Sequence, residues 1–251
     1  MDNNADFFDG SQTIEWWNSY TTLHMQDIFC IDPRKKNACL YFRPQYIEAK
    51  HFYHSCSIQI LEVITKVQLH LLVDCCRAFH CVGRRPSAIF FKIEARIIPS
   101  VICLLLSIFD ELKSQRIEII LDINMPSLPQ DTIYDEVYRN LYRIVDSGHM
   151  ICMGGYDWKN CLPRNLKIPY EVFKYFRLGP PPANVAEINH FMDTCFYVKE
   201  KYSLNLILDR IQSKTELDVA CRAPYYALMG EYLSPVLLVK DTESIYTKVT
   251  P

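Results

Sequence analysis

Three consecutive segments, Ala88-Ile-Phe-Phe-Lys-Ile-Glu94, Ser100 to Ser114 and Ile117-Glu-Ile-Ile-Leu-Asp-Ile123, set the character of this chain. The outer two are short apolar runs that read as strands. The middle one carries apolar residues at helical spacing and ends in the charged Asp110, Glu111 and Lys113. Working outward, Asp131 to Asp146 places Ile133, Val137, Leu141 and Ile144 on one side of a helix, with Gly148 just past its end as a C-terminal stop. A short strand follows at Met150 to Met153, and Pro180-Pro-Pro182 interrupts regular structure. Asn184 to Lys201 then reads as an amphipathic helix, Leu204 to Leu208 as a strand, Ser213 to Arg222 as a helix and Tyr225 to Met229 as a last strand. Such alternation predicts an α/β fold with a largely parallel sheet, either a barrel or an open doubly wound sheet.

Composition bounds the function. A chain of 251 residues permits one large domain or two small ones, one barrel-sized unit being common at this length, and 49% hydrophobic content supports a full core. The formal net charge of -2 gives no excess of cations for a nucleic-acid backbone, so direct nucleic-acid binding is not expected. The longest nearly apolar run, Ile97 to Phe109, contains Pro99 and falls short of the roughly 20 residues that span a bilayer. No membrane association is expected. The start Met1-Asp-Asn-Asn-Ala-Asp6 lacks a basic and apolar leader, which predicts a cytoplasmic protein. The 11 cysteines are odd in number and scattered through apolar segments, as in a reducing compartment where thiols act as small hydrophobes. In Cys75-Cys-Arg-Ala-Phe-His-Cys81, Cys76 and His80 would share a helix face. A zinc site would need a second ligand pair, which is not found, so helix packing is the reading taken.

The motifs choose between barrel and open sheet. Leu40-Tyr-Phe-Arg-Pro44, Leu61-Glu-Val-Ile-Thr65, Phe90 to Glu94, Leu121 to Asn124, Gly148 to Asp157, Phe173 to Gly179, Leu206 to Ser213 and Met229 to Pro235 follow one another in chain order. The series resembles EAL domains, the bacterial phosphodiesterases that cleave cyclic di-GMP. Leu40 to Pro44 stands for the opening Tyr-x-Gln-Pro strand and Leu61 to Thr65 for the Glu-Ala-Leu signature. The resemblance implies a modified (β/α)8 TIM-like barrel with one strand running against the others. It covers residues 38–236, which leaves 1–37 as an N-terminal extension and 237–251 as a C-terminal tail.

What the resemblance implies for the site is a depleted one. EAL enzymes hold two divalent cations through carboxylates and an asparagine, and the metals activate water for attack on phosphate. Glu62 matches the signature glutamate, Asp122 the glutamate of a Glu-Ile-Thr-Glu run, and Asp209 the first glutamate of Ala-Glu-Gly-Val-Glu, with neutral Gln212 in place of the second. Lys92 stands where the asparagine ligand would be, and Gly154 and Gly155 where two bridging aspartates would be. Arg177 replaces a lysine that assists the water, and Gly179 its companion aspartate. An ammonium offers a metal no lone pair, and a guanidinium does not deprotonate in a protein. The expectation is therefore no catalytic residue, no metal and no cofactor, with Lys92 and Arg177 neutralising Glu62, Asp122 and Asp209. Thr65 stands for a phosphate-binding arginine, Arg43 for the opening glutamine, and Met229 for the glutamine before Gly230. On that basis cyclic di-GMP is disfavoured as a partner.

The function this implies is a non-catalytic EAL-like regulator acting through protein–protein contact, on a transcription regulator of motility, adhesion or virulence. The alternatives are a cyclic di-GMP sensor without hydrolysis and a residual phosphodiesterase. Phe7-Phe8 and Trp16-Trp17 precede every motif. They read as packing against the barrel, with a partner surface as the alternative.

Overall fold

The computed structural model describes residues 21–44, 49–81, 86–124, 133–159 and 170–239. Phe7, Phe8, Trp16 and Trp17 lie outside them. The elements run β1 (Thr21–Cys30), β2 (Lys36–Pro44), α1 (Ala49–Ser55), α2 (Ile58–Cys81), β3 (Ala88–Ile93), α3 (Ile98–Ser114), β4 (Glu118–Asn124), α4 (Ile133–Asp146), β5 (Met150–Tyr156), β6 (Tyr175–Leu178), α5 (Val185–Tyr202), β7 (Asn205–Leu208), α6 (Lys214–Ala220), β8 (Tyr225–Leu228) and β9 (Leu237–Val239).

Strands β2 to β8 pair in order, each parallel to the next. β1 runs against both β2 and β8 and closes the ring. The expected eight-stranded barrel with one reversed strand is what the chain forms. β9 adds antiparallel to β1 at Leu23–Met25, beside the short β1–β8 contact at Phe29 and Cys30. The boundary expected between residues 37 and 38 falls inside β2. β1 belongs to the barrel, and β9 extends the sheet past residue 236.

Strand alternation sorts the core into two layers. Outward residues such as Leu40, Phe91, Leu121, Met153, Phe176 and Leu208 pack with the buried faces of the helices. Inward residues Ile28, Cys39, Phe90, Ile120, Cys152, Tyr175, Ile207 and Ala227 plug the lumen. The helices follow their apolar spacing. Val137, Leu141 and Ile144 of α4 are fully buried, and Pro99 sits in the first turn of α3, where its missing N–H has no intrahelical partner to lose.

The longest helix, α2, corrects one motif assignment. Leu61, Ile64, Thr65, Leu69, Leu72, Val73 and Cys76 recur at helical spacing and are buried, so Leu61 to Thr65 forms helix and not a strand end. The same helix accounts for the cysteine cluster. Cys75 and Cys76 are buried, and burial pushes both thiols up, Cys75 to about 12, which leaves them inert. No helix among the described residues is long and apolar enough to cross a membrane.

Candidate ligand site at the barrel mouth

Stepping two residues from the lumen plug toward the carboxyl ends of the parallel strands gives Tyr41, Lys92, Asp122, Gly154, Arg177, Asp209 and Met229. Reversed β1 supplies Gln26 at the same level. Six of these eight line a cavity of about 310 Å³, completed by rim residues that include Arg43, Arg210, Gln212, Gly230 and Glu231. The other two, Asp122 and Gly154, are buried beside it. A site at this end of the strands is the usual place for a ligand in a β/α barrel.

At the centre lies an ion-pair cluster. Arg177 Nη2 is 2.7 Å from Asp122 Oδ2, and Arg177 Nη1 is 3.8 Å from Asp209 Oδ2. Arg177 Nη2 also donates to Cys39 Sγ at 3.4 Å. Burial alone pushes the guanidinium down, but the carboxylates of Asp122 and Asp209 more than offset it, so the charge is permanent. Burial likewise pushes the Cys39 and Cys152 thiols up, which leaves neither as a nucleophile.

Gly154 makes the cluster possible. It lies on β5, between the strands that carry Asp122 and Arg177, and a Cβ there would stand 2.7 Å from Asp122 Oδ1. The missing side chain lets β6 reach across to β4. Gly155 has φ +81°, a conformation that L side chains rarely adopt, and an added Cβ would collide with the Asn124 side chain. We therefore expect Gly155→Asp to lower stability by about 1–3 kcal/mol in denaturant unfolding, whereas an unchanged midpoint would show that this backbone relaxes freely.

The remaining cations are differently placed. Among the described residues neither Lys92 nor Arg43 has an ion pair or a side-chain hydrogen bond, and both side chains line the cavity. Tyr41 forms part of the wall and stacks on His24 with ring centroids 5.5 Å apart. Burial, followed by the Arg43 charge, pushes His24 down and keeps its ring neutral. Gln26 Nε2 donates to Ser234 O at 3.0 Å and ties the segment after β8 over the mouth. Gln212 precedes the N-cap of α6, where Ser213 and Glu216 form a capping box, and its backbone N–H donates to Glu216 Oε2 at 2.6 Å.

Of the ten expected pocket residues, Arg43, Lys92, Arg177, Asp209 and Gln212 line the cavity, and Asp122 and Gly154 adjoin it. Gly155 lies near the end of β5 against Asn124. Glu62 and Thr65 are not part of the site. Glu62 faces outward on α2 and pairs with Lys66 at 2.7 Å, and Thr65 is buried in the same helix. The expected pairing of Lys92 with a carboxylate is also absent among the described residues. Sequence reasoning missed Gln26 and Tyr41, although the position of each follows from strand parity once β1 is recognised. It also missed Arg210 and Glu231, which sit in loops that no period marks.

Metal ligation has a specific geometric requirement. Among the described residues no three His, Cys, Asp or Glu side chains come together in a way that could hold an ion. Asp122 and Asp209 are instead gathered around a guanidinium.

No protein-family model matches the chain, and no curated protein matches its sequence. Solved structures match it in fold. The Bacillus subtilis YkuI protein, with an EAL domain, in complex with substrate c-di-GMP and calcium, gives a TM-score of 0.69 at 14% identity, covering 96% of this chain and 63% of that one. The FimX EAL domain from Pseudomonas aeruginosa, bound to c-di-GMP, gives 0.66 at 10% identity over 94% of this chain and 98% of that one. The PaMucR phosphodiesterase in its c-di-GMP complex gives 0.62 at 12% identity over 88% and 98%. The fold is thus that of EAL domains, and this chain spans under two-thirds of YkuI. These neighbours carry c-di-GMP, which overturns the expectation that this nucleotide is disfavoured as a partner. The physical error lay in Thr65: the expectation counted it as a lost phosphate contact, but it belongs to a helix, while Arg43 faces the cavity.

Proposed function

We propose that this chain is a regulatory protein that binds cyclic di-GMP at its barrel mouth without hydrolysing it. The observation that carries the reading is the division of labour among the cations. Arg177 is ion-paired with Asp122 and Asp209, while among the described residues Arg43 and Lys92 line the cavity without an ion pair. Cyclic di-GMP presents two phosphodiesters of single charge, a match for two unpaired cations. The Tyr41 ring supplies an apolar wall beside them.

The absence of hydrolysis follows from the donor set. Two divalent cations held close together need shared carboxylates, and the residues here do not fit them. Gly154 and Gly155 offer no side-chain oxygen, Lys92 repels a cation, and the charge of Arg177 already occupies the space between the two carboxylates. Arg177 also cannot serve as a base.

The test is a thermal-shift titration with cyclic di-GMP in the presence of magnesium, followed by chromatography of the nucleotide. The reading expects the midpoint to rise with ligand concentration by mass action and the nucleotide to be recovered intact. A flat titration or a linear dinucleotide product would overturn it.

A regulator also needs a surface for what it regulates. Ile60 and Val63, one turn apart on α2, are 47% and 41% exposed, which supports a protein partner on that face. The finer proposal, that the partner is a transcription regulator of motility, adhesion or virulence, is tested by whether Ile60→Asp and Val63→Asp abolish capture of such a regulator by the purified chain.

A further inference from the structure

Among the described residues three non-glycine residues have positive φ: Arg116 at 63°, Ser203 at 54° and Arg210 at 61°. Two of them are accounted for by helix ends. Arg116 follows the C-cap residue Gln115 of α3, and Ser203 is the C-cap of α5, where left-handed backbone is common. Arg210 has no such reason. It lies between the end of β7 and the N-cap of α6, on the wall of the mouth cavity. A side chain in this backbone region is disfavoured, because its Cβ crowds the neighbouring carbonyl. Strain of this kind at a cavity wall calls for a functional explanation.

The conformation fixes a cation in place. Its backbone N–H donates to Asp209 Oδ1 at 2.6 Å, and Nη2 of its guanidinium donates to the carbonyl of Gly179. The side chain is thereby tied across the ends of β6 and β7. Gly179 itself leaves no room for alternatives, because any Cβ there would run into the Asp209 backbone. The partner of the guanidinium is a neutral carbonyl. Among the described residues Arg210 forms no ion pair, although Asp209 and Glu231 line the same cavity. It has no ion pair among the described residues, its orientation is set in advance, and it has N–H donors to spare.

We infer that Arg210 is a phosphate-gripping residue of the mouth, a third cation beside Arg43 and Lys92 that this chain carries at the cost of backbone strain. The inference rests on the proposed cyclic di-GMP reading for the identity of the ligand, but not for its chemical class, which is a phosphate oxyanion. Losing one preorganised, charge-assisted contact of about 1.5–3 kcal/mol corresponds to a roughly 10-fold to 150-fold loss of affinity.

The experiment is calorimetric titration of wild type, Arg210→Gly and Arg210→Gln with cyclic di-GMP and, separately, with inorganic pyrophosphate. Arg210→Gly should raise the unfolding temperature of the free protein, because glycine relieves the strain, and should weaken binding of both probes at least 10-fold. Arg210→Gln keeps a donor for Gly179 without the charge and should weaken them similarly, which covers the case in which the glycine variant folds poorly. If wild type and variants bind cyclic di-GMP within 2-fold of one another, the assignment of Arg210 fails while the cyclic di-GMP reading stands. If wild type binds pyrophosphate but not cyclic di-GMP, and the variants lose pyrophosphate, the grip is upheld and the nucleotide reading fails. Failure of wild type to bind either probe defeats both.

Discussion

Replacing Arg177 with Met should destabilise the fold by about 3–5 kcal/mol, the cost of leaving a buried carboxylate without its counter-charge. The Asp122 side chain is only 1% exposed, and its ionic partner, at 2.7 Å, is this guanidinium. Asp209, at 18%, is wet enough to adjust. The damage should therefore be specific to one pair. Adding Asp122→Asn to Arg177→Met should restore most of the lost stability, because the second change removes the stranded charge, and urea denaturation of the four proteins in the cycle measures the coupling. A loss below about 1 kcal/mol for Arg177→Met, or purely additive effects, would mean that the cluster is not what holds this end of the barrel together.

The second large effect is on binding. Arg43→Ala combined with Lys92→Ala should weaken cyclic di-GMP binding by about 100-fold or more, from two charge-assisted contacts of roughly 1.5–3 kcal/mol each. Both side chains reach into the cavity without a protein partner among the described residues. The free protein should keep its unfolding temperature, which separates this variant from Arg177→Met. Calorimetry provides the affinity, and a loss smaller than about 5-fold would place the phosphates elsewhere on the barrel.

How much of this could be read from the sequence depended on local period. Ala88 to Glu94, Ser100 to Ser114 and Ile117 to Ile123 declare a β-α-β unit because burial on both faces of a strand and on one face of a helix leaves different spacings. The placing of Lys92, Asp122, Arg177 and Asp209 in one pocket came from the resemblance to EAL domains, and the short strand Tyr175–Leu178 that carries Arg177 was not read from period at all. β1 was missed. Thr21 to Cys30 mixes His24, Gln26 and Asp27 with apolar residues, since one reversed strand lines the wet mouth at one end and the lumen plug at the other. That omission shifted the opening motif onto β2 and carried the signature glutamate into α2, where the helical spacing of Leu61, Ile64, Leu69 and Leu72 should have taken precedence. Arg210 escaped notice for a different reason. Its role depends on a positive φ and on a carbonyl 31 positions away in the chain, neither of which leaves a pattern in the residues around it.

The central claim is that a resident guanidinium stands in for a divalent pair, so that the ligand is held but not cut. Titration calorimetry with cyclic di-GMP, in chelator and again in millimolar magnesium, tests it most directly. The account predicts the same affinity in both buffers and intact nucleotide at the end of each run. Binding that requires the metal, or its conversion to a linear product, would contradict it.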